Sequence, residues 1–296
     1  MKIYQNAGFG EIRTAFVGEQ GVEKIIFHRD LTLNFGDRVE AKITAFHPAL
    51  HGYFAETGRE QVFIPTEVPM CIGEKIPVQI TKEVRGDKVA TAHPIRDVAE
   101  PDKIQVEPVS EEQMDAWVEE ALLADIRLKN KGELHIEKTE VCWTIDVDLA
   151  GADSLAEVNE GAIPEIARQI KLKNMGGLIL IDFAGSKRGL FKTKTEKIIG
   201  ECLKGDILCV RGSWTKAGLF EIERKRERAD LWTLCSDKNP VYVYYRVRRA
   251  LARPVSGIPR VRVAPEVLKL LSKAGVSAKI EPVFDQPISF FEVLEK

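Results

Sequence analysis

Apolar and polar positions along the first third of the chain alternate with a period of two, the signature of strands. Ile3, Ala15 and Val17 are followed by Val22, Ile25 and Phe27 within residues 1–35, with Gly18 and Gly21 marking a turn. From residue 36 the runs shorten: Val39–Thr44, Gly52–Ala55, Gln61–Ile64, Lys75–Ile80 and Lys88–Ala90, separated by Gly, Pro and His. Five short strands at that spacing fit an OB-type barrel over residues 36–96. Residues 97–109 are charged, carry proline and lack apolar positions, so they read as a linker. Ser110-Glu-Glu-Gln113 is a capping box, and Met114, Trp117, Val118, Ala121 and Leu122 share one face of the helix it opens.

Further on, strands are expected at Glu133–Glu137 and Val141–Asp148, then a helix from Pro164 to Lys173 with the proline in its first turn. Gly176-Gly177 ends that helix before a strand from Leu178 to Asp182. A basic helix at Lys192–Leu203 precedes strands at Ile207–Val210 and Leu219–Glu223. Val241–Tyr245 and a final αβ unit, Pro265–Ala274 then Ala278–Val283, complete the chain.

Two of these strands carry candidate chemistry. Leu178–Ile181 is wholly apolar and stops on Asp182, as a strand buried on both faces does when it delivers one carboxylate to its end. Asp146 and Asp148, at i and i+2, leave the same face of their strand. Three carboxylates brought together repel unless a hard cation neutralises them, and Mg²⁺, with Mn²⁺ as the alternative, suits oxygen ligands. The competing reading is a half-exposed strand whose acids are simply solvated.

Composition adds boundaries. With 296 residues, two domains are the default, and a net charge of −2 leaves any basic field local. The five cysteines form no CxxC pair, and their odd count argues against a disulfide framework, so a reduced, cytoplasmic setting is expected. No signal peptide and no membrane span is read, and a soluble protein is expected. Locally, Lys187–Arg228 holds twelve Lys/Arg against six Asp/Glu. Pro240–Pro265 holds six arginines (246, 248, 249, 253, 260, 262) and no acid, with Tyr242, Tyr244 and Tyr245 among them. Such clusters suit a phosphate backbone, and equally a solvated face or an oligomer contact. The five histidines (28, 47, 51, 93, 135) show no ligand spacing and read as structural or surface residues.

The string Ile145-Asp146-Val147-Asp148, then Ala167-Arg-Gln-Ile-Lys-Leu-Lys-Asn-Met175-Gly-Gly-Leu-Ile-Leu-Ile-Asp182-Phe183, resembles the catalytic DNase I-like subdomain of the ribonuclease E/G family. The likeness runs back through Glu120-Ala-Leu122, Arg127-Leu128 and Glu140, and forward to Gly218-Leu-Phe-Glu221. Lys42-Ile-Thr44, Pro48-Ala-Leu50, Phe54, Gly58, Phe63-Ile-Pro65 and Val78–Glu83 are similar to the RNA-binding OB domain of the ribosomal protein S-one type, which the family also carries. The resemblance implies an α+β chain: an N-terminal β segment (1–35), an OB barrel (36–96), a linker (97–109), a DNase I-like α/β catalytic domain (110–235) and a small C-terminal αβ domain (236–296). It implies a Mg²⁺-dependent endoribonuclease that cuts single-stranded RNA by hydrolysis, leaving a 3′-hydroxyl and a 5′-phosphate. Asp146 and Asp182 would be catalytic and hold the metal, with Asp148 as ligand or orienter.

The same resemblance makes Phe54 and Phe63 base-stacking residues, against the alternative that both are barrel core. Lys82, Arg85 and Lys88 would touch the RNA backbone, although a solvated turn would look the same. Three departures stand out. Little chain separates the barrel from the metal site, so the 5′-monophosphate sensor and the ribonuclease H-like module are absent and the 5′ end should not matter. The family's zinc link uses a CxxC, whereas here Cys235 is followed by Lys238, so no zinc is expected. Asp148 stands where the family more often has Asn, and Gly185 where a further Asp follows. The expected partner is single-stranded RNA, with no membrane, and self-association through the C-terminal domain is left open. The rivals are an RNA-binding adaptor or maturation factor with little catalysis, and a phosphodiesterase acting on DNA or small phosphoesters.

Overall fold

The computed structural model of the chain describes residues 1–86, 88–96, 105–185, 189–252, 259–276, 278–284 and 286–294. Most of the expected linker (97–104), Lys187 and Arg253 lie outside the described residues. The chain is mixed α/β. Strands β1 (Lys2–Gly8), β2 (Glu11–Gly18) and β3 (Gly21–Arg29) form an antiparallel meander. Strands β4 (Arg38–His47), β5 (Gly52–Glu56), β6 (Gln61–Pro65), β7 (Lys75–Lys82) and β8 (Ala90–Pro94) close into a barrel in the order β4-β5-β6-β8-β7, consistent with an OB-like fold. Ala41, Ile43, Tyr53, Ala55, Val62, Ile64, Val78, Ile80, Ala90 and Ala92 fill its interior. The last strand begins at Ala90, later than its apolar pattern suggests, because Lys88 folds back onto Arg85 as an isolated bridge.

After the barrel the chain returns to the first sheet. β9 (Glu107–Pro108) pairs parallel with β1, and α1 (Glu111–Leu122) starts at Ser110, whose hydroxyl accepts from the Gln113 N–H. Met114, Val118 and Ala121 of α1 pack with Ala15, Val22, Ile25 and Phe27, so this helix covers the N-terminal meander.

A six-stranded sheet follows, in the order β10-β11-β12-β13-β15-β14: β10 (Asp125–Arg127), β11 (Glu133–Lys138), β12 (Cys142–Asp148), β13 (Gly177–Asp182), β14 (Cys209–Trp214) and β15 (Phe220–Arg224). Its central pair, β12 and β13, is parallel, and the connection between them is α2 (Leu155–Leu172). Together with α3 (Gly189–Cys202), α2 covers one face, where Trp143, Ile145, Val147, Ile179, Ile181, Phe220 and Ile222 are buried. Each such side chain contributes ~1.5–3 kcal/mol on leaving water.

The helix expected from Pro164 starts nine residues earlier, and Pro164 lies inside it. Ser154 is the true cap, accepting from the Glu157 N–H in a Ser-x-x-Glu box. A proline in mid-helix costs about 3 kcal/mol. Burial of Val158, Ala162, Ile163, Ile166, Ala167 and Ile170 along the same helix offsets it.

Beyond the sheet come α4 (Leu231–Leu234), α5 (Pro240–Leu251), β16 (Arg260–Val263), α6 (Pro265–Lys273), β17 (Lys279–Pro282) and β18 (Phe291–Leu294), with the three strands paired β17-β16-β18. Among the described residues no helix is long and apolar enough to cross a membrane.

The described arginines of 240–265 do not form an open cationic face. Arg246 pairs with Asp237 at 3.0 Å, Arg260 with Glu281 at 2.6 Å and Arg262 with Glu292 at 3.0 Å, while Arg249 pairs with Glu11. Arg248 donates to the Tyr244 hydroxyl, and Tyr244 and Tyr245 are buried. The acids that neutralise this cluster come from elsewhere in the chain, which a count over one window does not see.

Candidate nucleic-acid interface and carboxylate pair

The barrel presents an aromatic outer face. Inward Tyr53 and Ala55 alternate with Phe54, and inward Val62 and Ile64 alternate with Phe63. Phe54 and Phe63 are direct cross-strand partners, half-buried, with ring centroids 5.4 Å apart. Neither belongs to the barrel core. The Phe63 ring lies over Gly52, where an added Cβ would meet its Cζ at 2.5 Å and the Ile64 carbonyl at 2.5 Å, so a glycine is needed there for the ring to lie down. His47 meets Phe54 edge-on at 5.9 Å. The register carries this row on through Thr91, beside Phe63, to Lys82, beside Thr91.

Past Lys82 the β7–β8 connection turns Arg85 and Lys88 toward the six-stranded sheet. With Thr91 they line a cleft of about 740 Å³ whose far wall is Leu178, Glu223, Lys225 and Arg226. Arg226 is stretched over the start of β13, its Nε donating to the Gly176 carbonyl at 2.7 Å. A Cβ on Gly177, whose φ is +91°, would run into the Arg226 guanidinium, so the Gly-Gly pair makes room for that arm. Burial, and then the neighbouring charge of Arg85, press the Arg226 pKa below the ordinary arginine value.

The uncovered face of the six-stranded sheet holds the carboxylates. Because Trp143, Ile145 and Val147 point into the helix-covered core, Asp146 and Asp148 point out. Asp146 and Asp182 are register partners across the parallel β12–β13 pair, ~4.8 Å apart along the hydrogen-bonding direction, and both are exposed. Asp148 shares their face ~7 Å further along β12, past the end of β13, and accepts weakly from the Ala150 N–H at 3.4 Å. The structure thus brings Asp146 and Asp182 together and sets Asp148 at the rim. Gly185 follows at φ +61°, against Leu155.

His135 extends this row. It is the register partner of Asp146 on the opposite side from Asp182, and its Nδ1 is 2.7 Å from Asp125 Oδ1. That hydrogen bond raises the imidazole pKa above its ordinary value, and the charges of Asp125, Glu133 and Asp146 add to the effect. No spacing in the sequence pointed to His135, because only the strand register places it beside Asp146.

Among the described residues, no group of three or more His, Cys, Asp or Glu side chains forms a ready metal cage. The donor chemistry nonetheless fits Mg²⁺, which keeps several waters and takes one or two carboxylates together with substrate phosphates. Asp146 and Asp182 could hold such an ion from the protein side. Cys235 is a different case: it is buried beside α1, and burial pushes its thiol up to about 12, while Lys238 is exposed.

Residues 79–227 match the model of the ribonuclease E/G family. Relatives include ribonuclease G of Haemophilus influenzae, 29% identical over 131 residues that make up 42% of this chain and 27% of that protein. Ribonuclease E of Synechocystis sp. is 31% identical over 136 residues, 43% of this chain and 20% of that protein. Ribonuclease E of Escherichia coli is 30% identical over 122 residues, 38% and 12% respectively. The chain spans less than a third of the length of these relatives. A solved multidomain protein with nucleic acid binding domains from Streptococcus pneumoniae aligns over 42% of this chain and 47% of that one, at 12% identity. Its TM-score of 0.19 is too low to carry an argument.

Proposed function

The chain belongs to the ribonuclease E/G family, and we propose that it is a metal-dependent endoribonuclease that hydrolyses single-stranded RNA irrespective of the 5′-end phosphorylation state. The observation that carries this reading is the in-register pair Asp146–Asp182 on the open face of the sheet. In this reading the sheet with α2 and α3 is the DNase I-like catalytic unit.

Phe54 and Phe63 stack on bases, a contact worth ~1–3 kcal/mol per base and tolerant of sequence. Lys82, Arg85 and Lys88 neutralise phosphates where the strand leaves the barrel, and Arg226 supplies a fourth cation from the sheet side of the same cleft. From Leu178 to Asp182 the open face of β13 spans ~13 Å, which gives the strand a path from the cleft to the carboxylates. Asp146 and Asp182 would hold Mg²⁺ or Mn²⁺, and Asp148 would orient water at the rim. A cation bound there supplies Lewis-acid polarisation of the scissile phosphate and lowers the pKa of a bound water. Without one, two adjacent carboxylates repel an incoming phosphate. Hydrolysis would leave a 3′-hydroxyl and a 5′-phosphate.

With Lys238 where a CxxC would place its second cysteine after Cys235, the reading includes no zinc. A cytoplasmic setting and self-association through residues 236–296 belong to the same reading. A second reading, an RNA-binding adaptor with little catalysis, is favoured by the glycine at 185 where the resemblance expects a further acid. One experiment separates them: the pure protein is incubated with a fluorescent single-stranded RNA in Mg²⁺ and in EDTA. Cleavage in Mg²⁺ that EDTA stops supports the nuclease. Binding without cleavage supports the adaptor.

A further inference from the structure

The cleft between barrel and sheet is lined by Glu83 as well as by its cations. Glu83 follows Lys82 directly, just past the end of β7. Its backbone N–H donates to the Glu227 carbonyl at 2.8 Å. One carboxylate oxygen, Oε2, accepts from the Ala229 N–H at 3.0 Å, and the other, Oε1, from the Phe35 N–H at 3.0 Å. Phe35 lies in the segment that enters the barrel, and Ala229 in the segment that leaves β15. The Arg228 guanidinium lies 4.7 Å from the centre of the Phe35 ring, closing the same junction. Strand β15 in turn pairs with β13, the strand that ends on Asp182. One side chain therefore ties the RNA-facing barrel to the carboxylate-bearing sheet.

We propose that Glu83 is a positioning residue: it latches the barrel to the exit of β15, so that a strand stacked on Phe54 and Phe63 is cut at a fixed distance from the stacked bases. This rests on the reading of the barrel as the RNA-binding surface and of Asp146–Asp182 as the cleavage site. Cations face one another across the cleft, with glutamates among its lining residues. Arg85 on the barrel and Arg226 on the sheet repel until a phosphate enters between them, and hydrogen bonds that do not depend on substrate hold the walls in place.

Two measurements on the full chain test it. First, spin labels are placed on Cys71, exposed on the barrel, and on a cysteine replacing exposed Glu137 of β11, with Cys142, Cys202 and Cys209 changed to serine. The parent should give one narrow interlabel distance, Glu83→Ala a broad distribution, and Glu83→Gln, which keeps one accepting oxygen, a width between them. Second, an RNA carrying bases in one short window and abasic residues on both sides is cleaved and mapped. The parent should cut one bond. Glu83→Ala should scatter cuts over neighbouring bonds and lose roughly tenfold or more in kcat/KM, while its affinity for an uncleavable RNA stays unchanged. A narrow distance in Glu83→Ala, or cutting at the parental bond and rate, overturns the latch. A parent that cuts no RNA refutes the nuclease reading, and the distance measurement still decides the latch.

Discussion

The barrel and the six-stranded sheet each offer RNA an outer face, and the two faces relate to stability in opposite ways. On the barrel the candidate contacts are aromatic, half-buried and in mutual contact, so Phe54 and Phe63 lie on the outside without electrostatic strain. On the sheet the candidate contacts are two exposed carboxylates in register, which repel each other. The lesson concerns where function conflicts with folding. A stacking surface can be built from residues that also pack, whereas a carboxylate pair is held together only because hydrophobic burial on the other side of the strand fixes the register.

The sheet side of this contrast is tested by Asp146→Asn and Asp182→Asn. Each should reduce cleavage on the order of a thousandfold. RNA binding should be kept or improved, because one charge that repels phosphate is gone. Thermal unfolding should show equal or higher stability, which would set this site apart from an ordinary structural pair. Parental cleavage rates in both variants would remove the carboxylate pair from the mechanism.

The barrel side predicts a split between neighbours. Phe63→Ala should weaken single-stranded RNA binding by ~1–3 kcal/mol with little loss of stability. Ile64→Ala, one residue on and facing the barrel core, should lose ~2–5 kcal/mol of stability, with unchanged affinity per folded molecule. Gly52→Ala should mimic Phe63→Ala in RNA titrations, since its Cβ would displace the ring. If Phe63→Ala instead behaved like Ile64→Ala in the melts, the outward ring would be structural.

The contrast also explains what was legible in the sequence. The barrel strands, the Ser110 cap and the apolar run ending on Asp182 follow from local pattern, because burial alternates with the pleat. Local pattern puts the start of α2 at Pro164, whose signal is stronger than that of the Ser154–Glu157 box that wins once the helix packs. The short β10 was invisible at three residues, yet it carries Asp125 to His135. The C-terminal arginines looked free because Glu11, Asp237, Glu281 and Glu292 reach them only through the fold. What local pattern could not supply was register and long-range charge pairing.

A smaller effect sharpens the sheet side further. The hydrogen bond from the His135 Nδ1–H to Asp125 raises the imidazole pKa above its ordinary value. In Asp125→Asn the imidazole should titrate lower, as followed by NMR of its ring protons. The sign is that of a raised histidine: any stability it contributes is complete below its unfolded pKa and is lost as pH rises through the folded one. The ring is 42% exposed, so solvent screens that contribution. An unchanged titration would mean that Glu133 and Asp146, and not Asp125, raise the pKa of this imidazole.

The smallest expected effect is indifference to the 5′ end, and it bears on both faces at once. A sensor for a terminal phosphate needs donors in fixed geometry at a set distance from the cleavage site. The described chain between β8 and β11 is committed elsewhere: β9 pairs with β1, α1 covers the N-terminal meander, and β10 edges the sheet. The described arginines of 246–262 that could have substituted are paired with Asp237, Glu11, Glu281 and Glu292, or with Tyr244. Matched RNAs with a 5′-monophosphate, 5′-triphosphate or 5′-hydroxyl should therefore be cut at similar rates, differing only by a charge effect that salt screens. Rates are compared at low and at physiological salt. A monophosphate preference of roughly tenfold or more that survives physiological salt would contradict the prediction. It would place an end-binding function on the cationic cleft between Arg85 and Arg226.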